Sequence, residues 1–196
     1  MKHKFELLAP AGDFRALNAA VKAGADAIYF GLQEFNMRES AKNFKFADLG
    51  EIRKIAGKCK LYLTLNTIIY DSELKRLEKL IKKLKGKINA IICWDLSVIQ
   101  LCKKYKIPFH ISTQASISNS KTAEFYKKLG AERAILAREL NLKQIKKISK
   151  IMPIEIFIHG ECAQLFQEGV LLLSFFIVNQ PIGGLADIPV ENPIEL

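Results

Sequence analysis

Short apolar runs alternate with longer segments of mixed character along most of this chain. Runs with strand character occur near Phe5–Ala9, Ala27–Gly31, Lys60–Leu65, Ala90–Trp94, Phe109–Thr113, Arg133–Ala137 and Glu155–His159. Between them, apolar positions recur at the three- and four-residue spacing of a helix face. Phe14 to Val21 reads as one helix, closed by Gly24. Asp71 to Leu84 reads as another, with Leu74, Leu77, Leu80, Ile81 and Leu84 on one face and lysines opposite. Leu142 to Ile151 carries a stripe of Ile145, Ile148 and Ile151. Asp13 and the pair Asp71-Ser72 are the predicted N-caps, because their side-chain oxygens can take up an orphan backbone N–H.

Runs that are apolar on both faces, each followed by a helix, predict a parallel sheet covered by helices. Seven runs in one direction favour a (β/α) TIM-barrel-like sheet over a doubly wound one. The first turn, Pro10-Ala11-Gly12-Asp13, also lacks the glycine pattern of a dinucleotide binder. A full barrel of this kind takes eight strands and about 250 residues, whereas this chain has 196. The expectation is an α/β barrel that is incomplete, about seven βα units followed by a divergent tail.

Composition narrows the function classes. The opening Met1-Lys2-His3-Lys4 leads into no signal-peptide pattern, and the longest apolar run, Val170 to Val178, is too short to span a bilayer. A cytoplasmic protein without a membrane partner is expected. The four cysteines, Cys59, Cys93, Cys102 and Cys162, form no CxxC pair, which predicts buried thiols rather than disulfides or a metal site. The formal net charge is +10, yet every Lys and Arg lies at or before Lys150, and the segment from Ile151 onward is mildly acidic. Lys75, Arg76, Lys79, Lys82, Lys83, Lys85 and Lys87 in one helical segment, with Lys143, Lys146, Lys147 and Lys150 in another, suit either phosphate contacts or the solvated backs of barrel helices.

Candidate chemistry falls at the C-terminal ends of the runs, the edge where parallel α/β folds bind ligands. The third run ends in Asn66, the fourth in Asp95, the fifth in Ser112-Thr113-Gln114, the sixth in Arg138-Glu139 and the seventh in His159, while Glu6 sits just inside the first. Any one of these could simply begin a turn; five in succession predict a shared polar pocket. In it Arg138 suits a carboxylate or phosphate. His159 suits acid–base work, with Glu6 or Glu139 to orient it. His110 lies within a run and is expected to be structural. No HExxH and no nucleophile elbow is present.

Several stretches are distinctive: Glu6-Leu7-Leu8-Ala9-Pro10-Ala11-Gly12; Tyr29-Phe30-Gly31; Asn36, Arg38, Ala41, Asn43 and Phe44; Asn66; Asp95; Ser112-Thr113-Gln114 with Asn119; Leu136-Ala137-Arg138-Glu139-Leu140; and Glu155-Ile156-Phe157-Ile158-His159-Gly160. In this order they resemble peptidase family U32, the collagenase-like proteases, from about residue 4 to residue 160. The resemblance implies a barrel whose mouth binds substrate through Asn66, Asp95, Gln114, Arg138 and Arg38. It also implies either peptide hydrolysis or, as in other members, oxygen-independent hydroxylation of tRNA, rRNA or a quinone precursor.

In several members a [4Fe–4S] cluster is held by four cysteines beginning just after the His-Gly motif. Here His159-Gly160-Glu161-Cys162 leaves one residue before the cysteine instead of two, and Gln167-Glu168-Gly169-Val170 stands where a second is expected. Cys162 is at most a remnant ligand, and no cofactor is expected on this chain. The chain thus divides into a U32-like domain, 1–160, and a tail, 161–196, that reads as truncated, frame-shifted or the last strand of a genuine short form. Three functions remain open: a U32-type enzyme on a peptide or other polar substrate, completed by a second family member if need be; an RNA-modifying or RNA-binding protein; or an inactive fragment that self-associates through an open barrel edge.

Overall fold

A computed structural model of the chain describes residues 5–36 and 43–157 and, for the backbone alone, 176–179. All seven expected runs are strands: β1 (Phe5–Ala11), β2 (Ala27–Gly31), β3 (Lys60–Thr64), β4 (Ala90–Cys93), β5 (Phe109–Ile111), β6 (Arg133–Ile135) and β7 (Ile154–Phe157). They pair in parallel in chain order, through registers such as Leu8↔Ala27, Ala27↔Lys60, Tyr62↔Ala90, Ile92↔His110, His110↔Arg133 and Ala134↔Ile154. The sheet curls until its ends meet around one further strand.

That strand, β8 (Phe176–Asn179), comes from the tail and runs antiparallel to both β7 and β1, placing Asn179 beside Ile154 and Phe5. The fold is therefore seven parallel strands with a short antiparallel closure rather than eight βα units. An antiparallel strand can start at the end where β7 finishes, as Phe157↔Phe176 does, so it needs no return crossover. Both edges left open by the count of seven are paired with β8.

Two layers of apolar packing explain why the runs lack alternation. One face of each strand points into the barrel, where Leu8, Ala27, Tyr62, Ala90, Ile92 and Ile135 pack with Tyr29 and Phe157. The other faces the helices, where Ile28, Leu61, Leu63, Ile91 and Ile111 meet Leu17, Ile52, Ile81 and Ile99. At about 25 cal/mol per Å² of apolar surface, this outer layer supplies most of the cohesion.

The helices are α1 (Phe14–Lys22), α2 (Leu49–Ala56), α3 (Leu74–Leu84), α4 (Leu96–Tyr105), α5 (Ser120–Leu129) and α6 (Leu142–Ser149). Asp13 caps α1 as expected, accepting from Ala16 N at 2.8 Å. Asp71-Ser72 does not cap α3: Asp71–Glu73 form a 3-10 turn, and the Glu73 carboxylate reaches back to the Tyr70 N–H at 3.1 Å. The buried stripe of α3 is Leu77, Ile81 and Leu84, narrower than the sequence pattern suggests, since Leu74 stays exposed. No helix among the described residues is long and apolar enough to cross a membrane.

Candidate functional site at the mouth of the barrel

The C-terminal ends of β3, β4 and β5 converge on one backbone group. The carbonyl of Asn66 accepts from the Trp94 indole N–H at 2.9 Å and from the Gln114 amide at 3.0 Å. Gln114 is itself held by the Ser112 hydroxyl, which donates to its Oε1 at 3.1 Å. The Asn66 N–H donates to the carbonyl of Phe35, in the loop after β2, at 3.2 Å. Four strand ends are thereby tied into one rim.

Asp95 lies on the same rim and is spent on the scaffold. One oxygen accepts from Ser97 N at 2.8 Å and Ser97 Oγ at 2.6 Å, capping α4; the other faces Ile69 N at 3.3 Å. On the far side of the mouth Arg138 is exposed, with its guanidinium carbon 4.4 Å above the ring of Phe157. Glu139 beside it is exposed as well. Arg38, His159 and Cys162 lie outside the described residues.

Of the expected site residues, the structure brings Asn66, Asp95 and Gln114 together and sets Arg138 and Glu139 on the rim. It places Glu6 elsewhere. Because β1 continues to Ala11, Glu6 is the second residue of its strand, at the opposite end of the barrel. There its carboxylate accepts from Tyr62 Oη at 2.8 Å and Arg133 Nη1 at 3.0 Å, and pairs with Lys60. Glu155 lies 3.6 Å from the same guanidinium nitrogen and is 2% exposed.

Burial alone would raise the Glu6 carboxyl, but Arg133, Lys60 and Tyr62 together hold it below the ordinary range. Glu155 is more deeply buried, and desolvation pushes it up to about 7 despite Arg133. His110, edge-on to Tyr62 with centroids 4.7 Å apart, is kept neutral far below the usual histidine range by burial and then by Arg133 and Lys60. The sequence marks His110 as structural, and here it sits inside β5 at 3% exposure.

Trp94 and Phe157 are site residues that the strand-end polarity rule overlooks. Their signal was an aromatic residue at the end of an apolar run, beside the polar one.

A [4Fe–4S] cluster takes four thiolates, and the three cysteines in the described residues do not fit that role. Cys59 Sγ donates to the Ala25 carbonyl at 3.0 Å. Cys93 and Cys102 are fully buried between β4 and α4, where their mutual hydrogen bond and then burial push the Cys93 thiol far up, away from the thiolate a ligand must be. Among the described residues no group of three or more His, Cys, Asp or Glu side chains is arranged to hold a metal ion.

Comparison with known proteins places this geometry. The model of peptidase family U32 matches residues 12–180. An uncharacterized protease of Methanocaldococcus jannaschii is 41% identical over 180 residues, covering 87% of this chain and 44% of its own length. The tRNA hydroxylation protein P1 of Bacillus subtilis is 38% identical over 164 residues, covering 80% of this chain and 39% of its own. The chain thus spans about two fifths of the length of these curated relatives. Among solved structures, the U32 peptidase Mk0906 superposes with a TM-score of 0.62 at 13% identity, over 76% of this chain and 66% of that one, a likeness of fold.

Proposed function

Because the chain belongs to peptidase family U32, we propose that it is the substrate-binding barrel of an enzyme whose C-terminal mouth takes a segment of RNA. The observation that carries this reading is Arg138, exposed and set over the ring of Phe157 at 4.4 Å. A guanidinium stacked on an aromatic ring keeps its fork of N–H donors directed outward for a phosphate, while its other face can stack on a base. Asn66 and Gln114, joined across the mouth by one hydrogen bond, suit a base edge. The Bacillus subtilis relative is named for tRNA hydroxylation. A substrate of this kind also favours the cytoplasm.

The test is fluorescence anisotropy with labelled bulk tRNA. Arg138→Gln should weaken binding at least about fivefold, the loss of one charge-assisted contact, without altering thermal unfolding. If the unaltered chain shows no salt-dependent tRNA binding, the RNA reading fails.

A second reading, peptide hydrolysis, is favoured by the protease name of the Methanocaldococcus jannaschii relative. Under it His159 and Glu139 are the acid–base pair. Against it, the Ser112 hydroxyl is committed to Gln114 rather than to a base that could activate it. Release of peptides from casein by the chain, abolished in His159→Ala, would favour hydrolysis over RNA.

A further inference from the structure

Beside the mouth, on the outer wall of the barrel, a groove of about 410 Å³ lies between α3 and two segments that follow β2, Leu32-Gln33-Glu34 and Lys45-Phe46. Its lining combines Lys45, Arg76, Lys79 and Lys83 with Phe46 and one acid, Glu34. We propose that this groove is a second binding site, one that tracks the sugar–phosphate backbone of an RNA whose reacting segment enters the mouth. The inference rests on the RNA reading above, and adds to it a docking surface separate from the chemistry.

The positions of the charges support it. Arg76, Lys79 and Lys83 lie at i, i+3 and i+7 of α3, a spacing that sets them along one face of the helix. Their backbones are ordered by the buried face opposite, where Leu77, Ile81 and Leu84 are fully enclosed. All four cations are exposed. Lys45, Lys79 and Lys83 have no ion-pair partner among the described residues, whereas Arg76 has Glu34 and Glu73 each at 3.6 Å and is partly offset.

Two of the cations lie on aromatic rings: Lys83 Nζ is 5.8 Å from the centroid of Phe46, and Arg76 Cζ is 4.9 Å from that of Phe35. The rings hold the two cations against the wall of the groove, where their charge can face a phosphate backbone. A face that was merely solvated would gain nothing from facing a second segment bearing Lys45.

The groove is also connected to the mouth. Phe35 carries Arg76 on its ring and accepts the Asn66 N–H on its carbonyl. One residue therefore joins the proposed phosphate track to the rim of the site. Charge complementarity selects the occupant: the lining offers four cations against one carboxylate. An acidic protein segment is the competing occupant, and is treated as an outcome of the test.

The experiment compares three proteins in binding to labelled bulk tRNA over a salt series. They are the unaltered chain, the groove variant Arg76→Gln/Lys79→Gln/Lys83→Gln, and a charge-matched control, Lys128→Gln/Lys143→Gln/Lys147→Gln, from exposed positions of α5 and α6. Each lost phosphate contact lowers the slope of log K against log salt by about 0.7 to 0.9. The groove variant should therefore lose about two from that slope and bind at least tenfold more weakly at about 0.1 M salt, with the control far less affected. Circular dichroism melts verify that all three fold alike.

If the groove variant binds like the control, the groove proposal is overturned, while loss of binding in Arg138→Gln would leave the RNA reading standing. If the unaltered chain does not bind tRNA, both fall. If poly-glutamate competes with tRNA at equal charge concentration and with the same sensitivity to the groove variant, the assignment to RNA is overturned in favour of an acidic partner.

Discussion

Glu155 offers a sharp test of the energetics because its carboxyl is buried at the N-terminal end of the barrel beside Arg133, with Oε2 lacking a hydrogen-bond donor. Desolvation raises it from the ordinary 4.5 to about 7. A carboxyl raised in the folded state binds a proton there that the unfolded chain has released, so between those two values its contribution to stability falls as pH rises. The perturbation is Glu155→Gln, which keeps the shape and removes the titration. At about 1.4 kcal/mol per pH unit, the variant should gain about 3 kcal/mol on the unaltered chain between pH 4.5 and pH 8. The comparison is best made as a difference, because His110 works oppositely in an overlapping window. Held neutral below the usual histidine range, it makes stability rise with pH up to that range and partly hides Glu155 in the unaltered chain taken alone. Glu6, held low, acts below 4.5 and stays out of the way. Urea unfolding at pH 5, 6, 7 and 8 reads the difference directly. A difference that stays constant across that range would mean that Glu155 titrates as a solvated carboxyl, and the buried-cluster account would be wrong.

Three further outcomes follow from single contacts. Gly31→Ala should cost about 2 kcal/mol in urea unfolding, because an added Cβ would fall 1.8 Å from Asn36 Nδ2, which now donates to Asn43 at 2.9 Å. Asp95→Ala should cost about 1–2 kcal/mol by removing the cap of α4; a variant that binds substrate as before but melts earlier would identify Asp95 as scaffold. Lys106→Gly should stabilise the chain by about 0.5–1 kcal/mol, read as a higher melting temperature. Lys106 is exposed and ends α4 in the left-handed region at φ 56, where glycine carries no side-chain penalty.

The strands were legible because a parallel strand is apolar on both faces: Leu61-Tyr62-Leu63 stands out whatever the fold. Helices were legible in proportion to their stripe. The Leu77, Ile81 and Leu84 face of α3 is plain, whereas α5 buries only Ala123 fully and leaves Phe125 exposed, so its pattern is faint. The mouth was half legible. Polarity at a strand end marks Asn66 and Gln114, but nothing in a sequence says that the Asn66 carbonyl, rather than its side chain, receives Trp94 and Gln114. Glu6 was misplaced because polarity inside a run does not reveal which end it occupies. Its partner Arg133 is 127 residues away and is reached only through the closed interior.

The same closure explains why a count of charges is a poor guide to what this chain binds. Arg133 and Arg138 stand five positions apart and contribute equally to the net charge, yet they differ in what they offer a ligand. Arg133 is 8% exposed, with Glu6 and Glu155 on one nitrogen; its field is spent within the barrel, and removing it would leave Glu155 without a cation while Glu6 keeps Lys60. Arg138 is exposed, lies on an aromatic ring, and has no anionic partner among the described residues. Lys60 is consumed by Glu6 and Lys104 by Glu78, while Lys45, Lys79 and Lys83 are not consumed. Arg138 at the mouth and Lys45, Lys79 and Lys83 along the groove thus carry charge that no carboxylate among the described residues offsets, whereas Lys60 and Arg133 at the N-terminal end of the barrel are paired. What decides a cation's use to a ligand is therefore its exposure and its partners, since a charge spent on a buried carboxylate projects little field into solvent.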